Sequence, residues 1–488
     1  MRLLVVTGTL ALDDVKRACS EIKDVDITIK SLDYPVAALM SVRYIAEKLK
    51  DQDLKGYDII LVPGLVYGDC TVIEEKVHVP TFKGTEEAAD IPLVIDALKR
   101  GITLSKKDPA DRVIDEMRKN YINKVLELTE VNKDFMEVNG LRIPLRPPPF
   151  RIFLEVSQSS QLEEIDRVKR YVDVIVVGTP VGSSDPSYIK EMIKRVLDTG
   201  FHAAVDSDSI LELKAGIEAG ASFVFNLNEI NIERLTDVKK DATFVVAPFS
   251  RENKLETVSW LLNKASDMGY TKIIGDPVMA PPLKGVIDSL YAYKQLSVKF
   301  PNIPFLMGTL NITELIDVDS HGVNGLLTAL AVEAGTSCLL TMEKGKTKWS
   351  SWELKRSGEL MAIAQTQGRF PKDIGVDLLL VKDKRKSDDE EEPKEIVEVV
   401  NEEPVFDREG FVKIWKKGGN IYLTFYGKDK FTLKGRDALS IGRTLLRKTH
   451  VSPQHALYIG YELAKAEIAR DLDKNYVQDR RLFRRIGE

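Results

Sequence analysis

Four polar residues in the middle of this chain have the types and positions to do chemistry together. Asp206, Asn226, Asp276 and Asn311 each stand at or just beyond the end of a short β-branched run. A carboxylate accepts two donors at once, and a carboxamide meets a donor and an acceptor on the same edge. Two carboxylates and two carboxamides converging at one depth suit a flat heterocycle with amide-like and guanidine-like edges, such as a pterin. Asp208 and Asn228, two positions beyond the first two residues, are secondary candidates, and so is Lys344. A single Asp or Asn after a strand commonly caps the next helix. Convergence of four favours a binding site instead. No catalytic residue is assigned among them.

The elements that must position these side chains follow from the hydrophobic pattern. Eight apolar runs fall at 151–157, 172–178, 202–207, 223–228, 243–248, 272–277, 304–309 and 338–343, each followed by a helical stretch. Strand-helix alternation repeated eight times is the signature of a (β/α)8 barrel, which carries its chemistry at the C-terminal ends of its strands. Ahead of the first run, 135–143 reads as a hairpin turning at Asn139-Gly140, suited to a type I′ turn and to plugging the barrel bottom. The expected fold class is therefore α/β, a central TIM barrel with two flanking domains.

The flanks read differently. Runs at 3–7, 26–30, 57–63 and 79–83 suggest parallel strands of a flavodoxin-like α/β domain over 1–132. The barrel is expected over 133–384, an acidic linker around Asp388-Asp389-Glu390-Glu391-Glu392 over 385–404, and a small α+β domain over 405–488. That last domain offers a hairpin, 411–415 with 421–425, then helices over 437–448 and 452–471.

Composition narrows the setting. The chain has 488 residues, 30% charged and 43% hydrophobic, with a formal net charge of −5, which gives no general pull toward nucleic acid. No apolar run is long enough to suggest a membrane span. Three scattered cysteines (Cys19, Cys70, Cys338) argue against a disulfide framework and for a cytoplasmic protein. The five histidines form no pair at ligand spacing, so no metal is expected. Cys70 follows a strand on a loop and could be reactive, but lacks a His or Cys partner at ligand spacing.

Several stretches resemble the pterin-binding barrel family, which includes dihydropteroate synthase and the pterin-dependent corrinoid methyltransferases. They are the hairpin with the first run, Val172-Asp173-Val174-Ile175 in the second, Ala204-Val205-Asp206-Ser207 with Gly216-Ile217-Glu218-Ala219-Gly220-Ala221 and Phe225-Asn226, and Ile274-Gly275-Asp276-Pro277. The resemblance implies a pterin held by Asp206, Asn226 and Asp276. Gly308-Thr309-Leu310-Asn311-Ile312-Thr313 resembles the methyltransferases instead and implies Asn311 near N5 of the pterin. The synthases' cationic motifs after the seventh and eighth strands are absent, with Lys344, Lys346 and Lys348 as substitutes. The whole arrangement resembles an archaeal group of dihydropteroate synthase-related proteins, found where tetrahydromethanopterin-type pterins replace folates. The segment from Ser452 through His455 to Glu467 resembles proteins related to a corrinoid-carrying methyltransferase subunit, with His455 as the candidate contact. Arg443 and Arg447 share one helical face and could meet an anionic tail.

Three functions follow as expectations. One is a transferase joining a hydroxymethyl-dihydropterin pyrophosphate to an aminobenzoate-type acceptor. The second is pterin-dependent methyl transfer to or from a corrinoid partner. The third is a non-catalytic pterin carrier. A homodimer is implied by the resemblance alone.

Overall fold

Alternation and β-branching build the sheets where the sequence places them. The computed structural model describes residues 1–488 except 21, 132, 181, 183, 251, 373, 383–396, 398, 400–406 and 484–488, and the side chain of 164. The expected acidic linker at 385–404 lies outside the described residues, apart from Val397 and Val399. The chain forms two compact units, Met1–Arg385 and Lys386–Glu488.

The first unit opens with four parallel strands: β1 (Arg2–Thr7), β2 (Asp26–Ser31), β3 (Ile59–Val62) and β4 (Thr81–Lys83), in the order β2-β1-β3-β4. This is the flavodoxin-like order. Cys70 is buried, and burial pushes its thiol up to about 12, so it carries no thiolate to react. The helix Asp111–Val131 leaves this sheet and packs Ile122 and Val125 against Ile363 and Ala364. The apolar stretch 376–381 forms no strand; Val376 is buried in that cluster, whereas Leu379, Leu380 and Val381 are exposed.

The hairpin follows as β5 (Phe135–Val138) and β6 (Leu141–Pro144). Its turn residues Asn139 and Gly140 have φ of 49° and 87°, the positive pair a type I′ turn needs. Val138 and Ile143 enter the barrel interior beside Phe153, Phe223 and Leu306. Asn139 Nδ2 donates to Ser222 Oγ (2.9 Å) at the N-terminal end of a barrel strand. The hairpin thus closes the bottom of the barrel.

Eight parallel strands form the barrel: β7 (Arg151–Val156), β8 (Val174–Gly178), β9 (His202–Asp206), β10 (Phe223–Leu227), β11 (Thr243–Val246), β12 (Ile273–Gly275), β13 (Leu306–Gly308) and β14 (Cys338–Met342). The hydrogen-bonded order runs β12-β11-β10-β9-β8-β7-β14-β13, and a parallel bridge between Gly275 and Phe305 closes the ring. Each strand matches one expected run. The connections are less regular than expected. A 3₁₀ stretch, Ser159–Val168, follows β7, and turns rather than a helix follow β10.

The second unit holds an antiparallel sheet, β15 (Gly410–Lys417), β16 (Asn420–Gly427) and β17 (Lys430–Gly435), with helices Ala438–Lys448 and Pro453–Asp471 on one face. The expected hairpin is β15–β16, and β17 is a third strand beyond it. Asp437 and Ser452 cap the helices through Ser440 N (2.6 Å) and His455 N (3.2 Å).

The closing bridge is tight. A Cβ built on Gly275 would lie 2.4 Å from the ring of Phe305, which is fully buried and cannot swing away. Gly275→Ala is therefore expected to destabilise the protein by about 1–3 kcal/mol through overpacking. A urea midpoint unchanged from wild type would show that the seam has slack.

Candidate functional site

None of the four primary candidates is a helix cap. The helix after β9 (Ile210–Glu218) takes Ser209 as its N-cap, the one after β12 (Val286–Lys299) takes Gly285, and Thr309 precedes the short helix that contains Asn311. One secondary candidate has a local role of another kind. Asn228 Oδ1 accepts from Ile230 N (2.9 Å) and Asn231 N (3.2 Å), so this residue shapes the loop after β10.

Asp276 follows β12 and is buried. Tyr293 Oη (2.6 Å) and Val278 N (2.7 Å) both donate to its Oδ1. Burial pushes this carboxyl up to about 6, against the lowering pull of those two donors. Asp206 ends β9. Burial first, then the negative charges of Glu155 and Asp208, push it up to about 7. Glu155 reaches it across the end of β8, where Gly178 leaves room: a Cβ there would be 3.3 Å from Glu155 Oε1. Glu155 is itself raised, by burial and then by Glu314.

A register shift between Val224 and Leu227 interrupts the pairing of β10 with β11. Such bulges re-aim side chains, and Asn226 lies inside this one. Among the described residues no bond to its carboxamide is found, while Asn231 Nδ2 donates to its backbone carbonyl (2.9 Å). Asn311 Nδ2 donates to Met279 O (3.0 Å), tying the loop after β13 to the loop after β12. Beneath the neighbouring loops, the fully buried Glu212 accepts from Thr179 Oγ1 (3.0 Å), Asp185 N (2.6 Å) and the Ser207 hydroxyl, bracing the ends of β8 and β9.

One cavity of about 1110 Å3 opens at the C-terminal ends of β9 to β13. Asn226, Asn311, Asp208 and Asn228 line it. Asp206 and Asp276 are not among its lining residues, whereas Ser207 and Val278, one and two positions further along the chain, are. Lys344 is exposed and does not line this cavity. Lys346 instead pairs with Asp317 (2.7 Å).

Three cations line the cavity that the motifs did not reveal: Arg234, Lys254 and Lys284. Lys254 Nζ donates to Val278 O (2.5 Å) and Ser289 Oγ (3.3 Å). They come from connections without periodicity or motif, so only the fold brings them together. Glu155 did leave a signal, a carboxylate inside an otherwise apolar strand run. A second cavity of about 370 Å3 adjoins the ends of β7 and β14, lined by Glu155, Gln161, Arg167 and Glu343. There Arg167 pairs with Glu343 and stacks on Trp349, 4.3 Å from the ring centre.

Among the described residues no cluster of three or more His, Cys, Asp or Glu is placed to hold a metal. No described helix is long and apolar enough to cross a membrane. In the second unit His455 Nδ1 lies 3.1 Å from Asp407 Oδ2, which also accepts from Ser452 N (2.6 Å). This histidine therefore helps hold a helix start. Arg443 and Arg447 are exposed.

Comparison with known proteins adds the following. Residues 406–479 match the family PterinBD-DUF4346. That match lies in the second unit and covers none of the barrel. Residues 1–86 match a family of unknown function, DUF6513. An uncharacterized protein of Methanocaldococcus jannaschii is 29% identical over 525 residues, covering 99% of both chains. A Yersinia pestis dihydropteroate synthase with a pterine-sulfa conjugate is similar at 13% identity and a TM-score of 0.38, over 48% of this chain and 100% of that one. The Thermus thermophilus dihydropteroate synthase in complex with 6HMPPP gives 14% identity and a TM-score of 0.38, over 47% of this chain and 98% of that one.

The raised carboxyls set a pH dependence. A carboxyl that titrates at 3.8 when unfolded and about 7 when folded holds its proton longer in the native state. Stability then falls as pH rises from about 4 to about 7 and is level above that. Asp276 adds the same trend up to about 6. Asp206→Asn is expected to flatten this slope and to be more stable than wild type at pH 8, relative to the difference at pH 4. Urea unfolding across that range decides it; parallel curves for the two proteins would refute the assignment.

Proposed function

We propose that residues 133–384 form a pterin-binding barrel that holds a reduced pterin of the tetrahydromethanopterin or folate type in the cavity above β9 to β13. In this reading Asp206 and Asp276 take the 2-amino and N3 donors of the ring, and Asn226 meets its amide-like edge. The observation that carries it is the composition of one cavity. Asn226, Asn228 and Asn311 line it together with Asp208, and Arg234, Lys254 and Lys284 line it too.

Those cations favour the transferase reading. A hydroxymethyl-dihydropterin pyrophosphate presents a planar ring and a polyanionic leaving group. The acceptor amine forms a C–N bond to the exocyclic methylene carbon. The C–O bond to pyrophosphate breaks, the leaving group takes that electron pair, and the new ammonium releases a proton. Three cations at the mouth would stabilise the charge that develops on the departing oxygen. The flanking segments, 1–132 and 405–488, would be companions of this barrel.

One observation supports a second reading, methyl transfer with a corrinoid partner: Asn311 lines the cavity instead of capping a helix. Ligand choice separates the two.

Calorimetric titration with 6-hydroxymethyl-dihydropterin, its pyrophosphate and a methylated tetrahydropterin is the test. Asn226→Ala and Asp276→Ala should each weaken pterin binding by about 1–3 kcal/mol, the size expected for an unpaired buried polar group. Arg234→Met with Lys284→Met should weaken only the pyrophosphate ester. Preference for the methylated ligand would favour methyl transfer, and absence of binding to any of the three would end the pterin reading.

An ionised carboxylate is the better partner for two ring donors. Affinity is therefore expected to rise between pH 5 and pH 8, with proton release on binding. Titrations in two buffers of different ionisation enthalpy measure that release; identical observed enthalpies would contradict it.

A further inference from the structure

The second unit carries a surface that the barrel chemistry does not use. One face of its sheet is buried, with Val412, Ile414, Ile421, Leu423 and Phe425 packed on the two helices. The period-two alternation of strands turns the intervening side chains to the other face. There the register sets Phe411 opposite Tyr426 and Tyr426 opposite Lys430; further along, Trp415 faces Tyr422 and Tyr422 faces Lys434. Each line is a stack. The Phe411 and Tyr426 rings are 4.8 Å apart with planes 6° from parallel, and Lys430 Nζ lies 4.8 Å from the Tyr426 centroid. The Trp415 and Tyr422 rings are 5.4 Å apart at 8°, with Lys434 Nζ 5.8 Å from the Tyr422 centroid. Between the two stacks run Lys413, Thr424 and Thr432, the two hydroxyls 2.8 Å apart.

Charge says what this face attracts. No Asp or Glu occurs in any of the three strands. Residues 407–483 contain sixteen Lys and Arg against nine Asp and Glu, in a chain whose formal net charge is −5. The whole-chain value, which argued against nucleic acid, averages this basic segment of net +7 with a remainder of net −12. Spacing says how the ligand is built. The stacks lie four residues apart on β15, about 13 Å at the usual strand rise. One fused heterocycle cannot reach both. A chain of flat rings joined by anionic links can. Both stacks end at β15, an edge strand, and Phe411 there is 62% exposed.

We propose that the open face of the β15–β16–β17 sheet binds single-stranded nucleic acid, one base continuing each aromatic stack and the lysines meeting the phosphates. Unpaired bases are required, because a duplex hides the ring faces that stacking needs.

The test uses the full chain with fluorescein-labelled oligouridylate and oligodeoxythymidylate of about 12 nucleotides. Anisotropy at about 50 mM salt should report binding that weakens steeply as salt rises. Tryptophan emission should be quenched on binding. Trp415→Ala should weaken binding by about tenfold and abolish the quench. Lys430→Glu with Lys434→Glu, at exposed positions where folding is not at stake, should weaken it at least as much. Arg234→Met, in the barrel cavity, should leave it unchanged. Tighter binding of the ribo or the deoxy strand identifies which source the face selects. No binding at low salt, wild-type affinity in the Lys variants, or equal competition by duplex DNA and dextran sulfate would overturn the proposal. The last result would reduce it to attraction of any polyanion.

Discussion

The first unit depends on one contact between a backbone and a ring. The parallel bridge from Gly275 to Phe305 turns an eight-stranded sheet into a closed barrel, and Gly275 N donates to Pro304 O at 3.0 Å along that seam. Closure converts strand ends into a circle, so side chains far apart in sequence share one depth. Asp276 is the next residue after the seam. Its place against Tyr293 and its distance from water both follow from the ring being shut there. An open sheet would leave the same carboxyl at an edge, hydrated and with an ordinary pKa.

Much of this was legible because strands declare themselves by composition. β-branched runs of five or six residues, spaced by helical segments, gave the barrel its strands, and Asn139-Gly140 gave the hairpin its turn. The convergence of Asn226 and Asn311 on one cavity also followed, since strand ends of a barrel can point to one mouth only. Loops gave no comparable signal. Arg234, Lys254 and Lys284 owe their common position to three separate connections, and nothing periodic relates them. Lys344 lies outside this cavity for the same reason in reverse: a residue just past a strand can face the mouth or turn outward, and the 3₁₀ turn at Gly345–Thr347 follows it. The strand β17 was missed because its outward positions are lysine and threonine and its inward ones, Phe431 and Leu433, are too few to stand out.

The two units show opposite ways of using polar residues. In the barrel, burial raises the carboxyls of Asp206 and Asp276, and at Asp206 the charges of Glu155 and Asp208 add to it. On the small sheet, lysines remain in solvent and lie over aromatic faces, which attract cations without neutralising them. Under the proposed function the first arrangement would select ring edges. Under the proposed nucleic-acid reading the second would tolerate any ring, because every base has a face.

The hairpin at the barrel bottom has a kinetic meaning. Val138 and Ile143 fill the lower interior and Asn139 is fastened to Ser222, so the hairpin obstructs the lower end of the barrel. Whatever enters the upper cavity must leave by the same door. Two reactants would have to queue, the deeper one first, and a departing fragment would have to clear the doorway before a bulky product could follow. Traffic on a single-ended site is ordered by geometry alone, with no moving gate needed to enforce it.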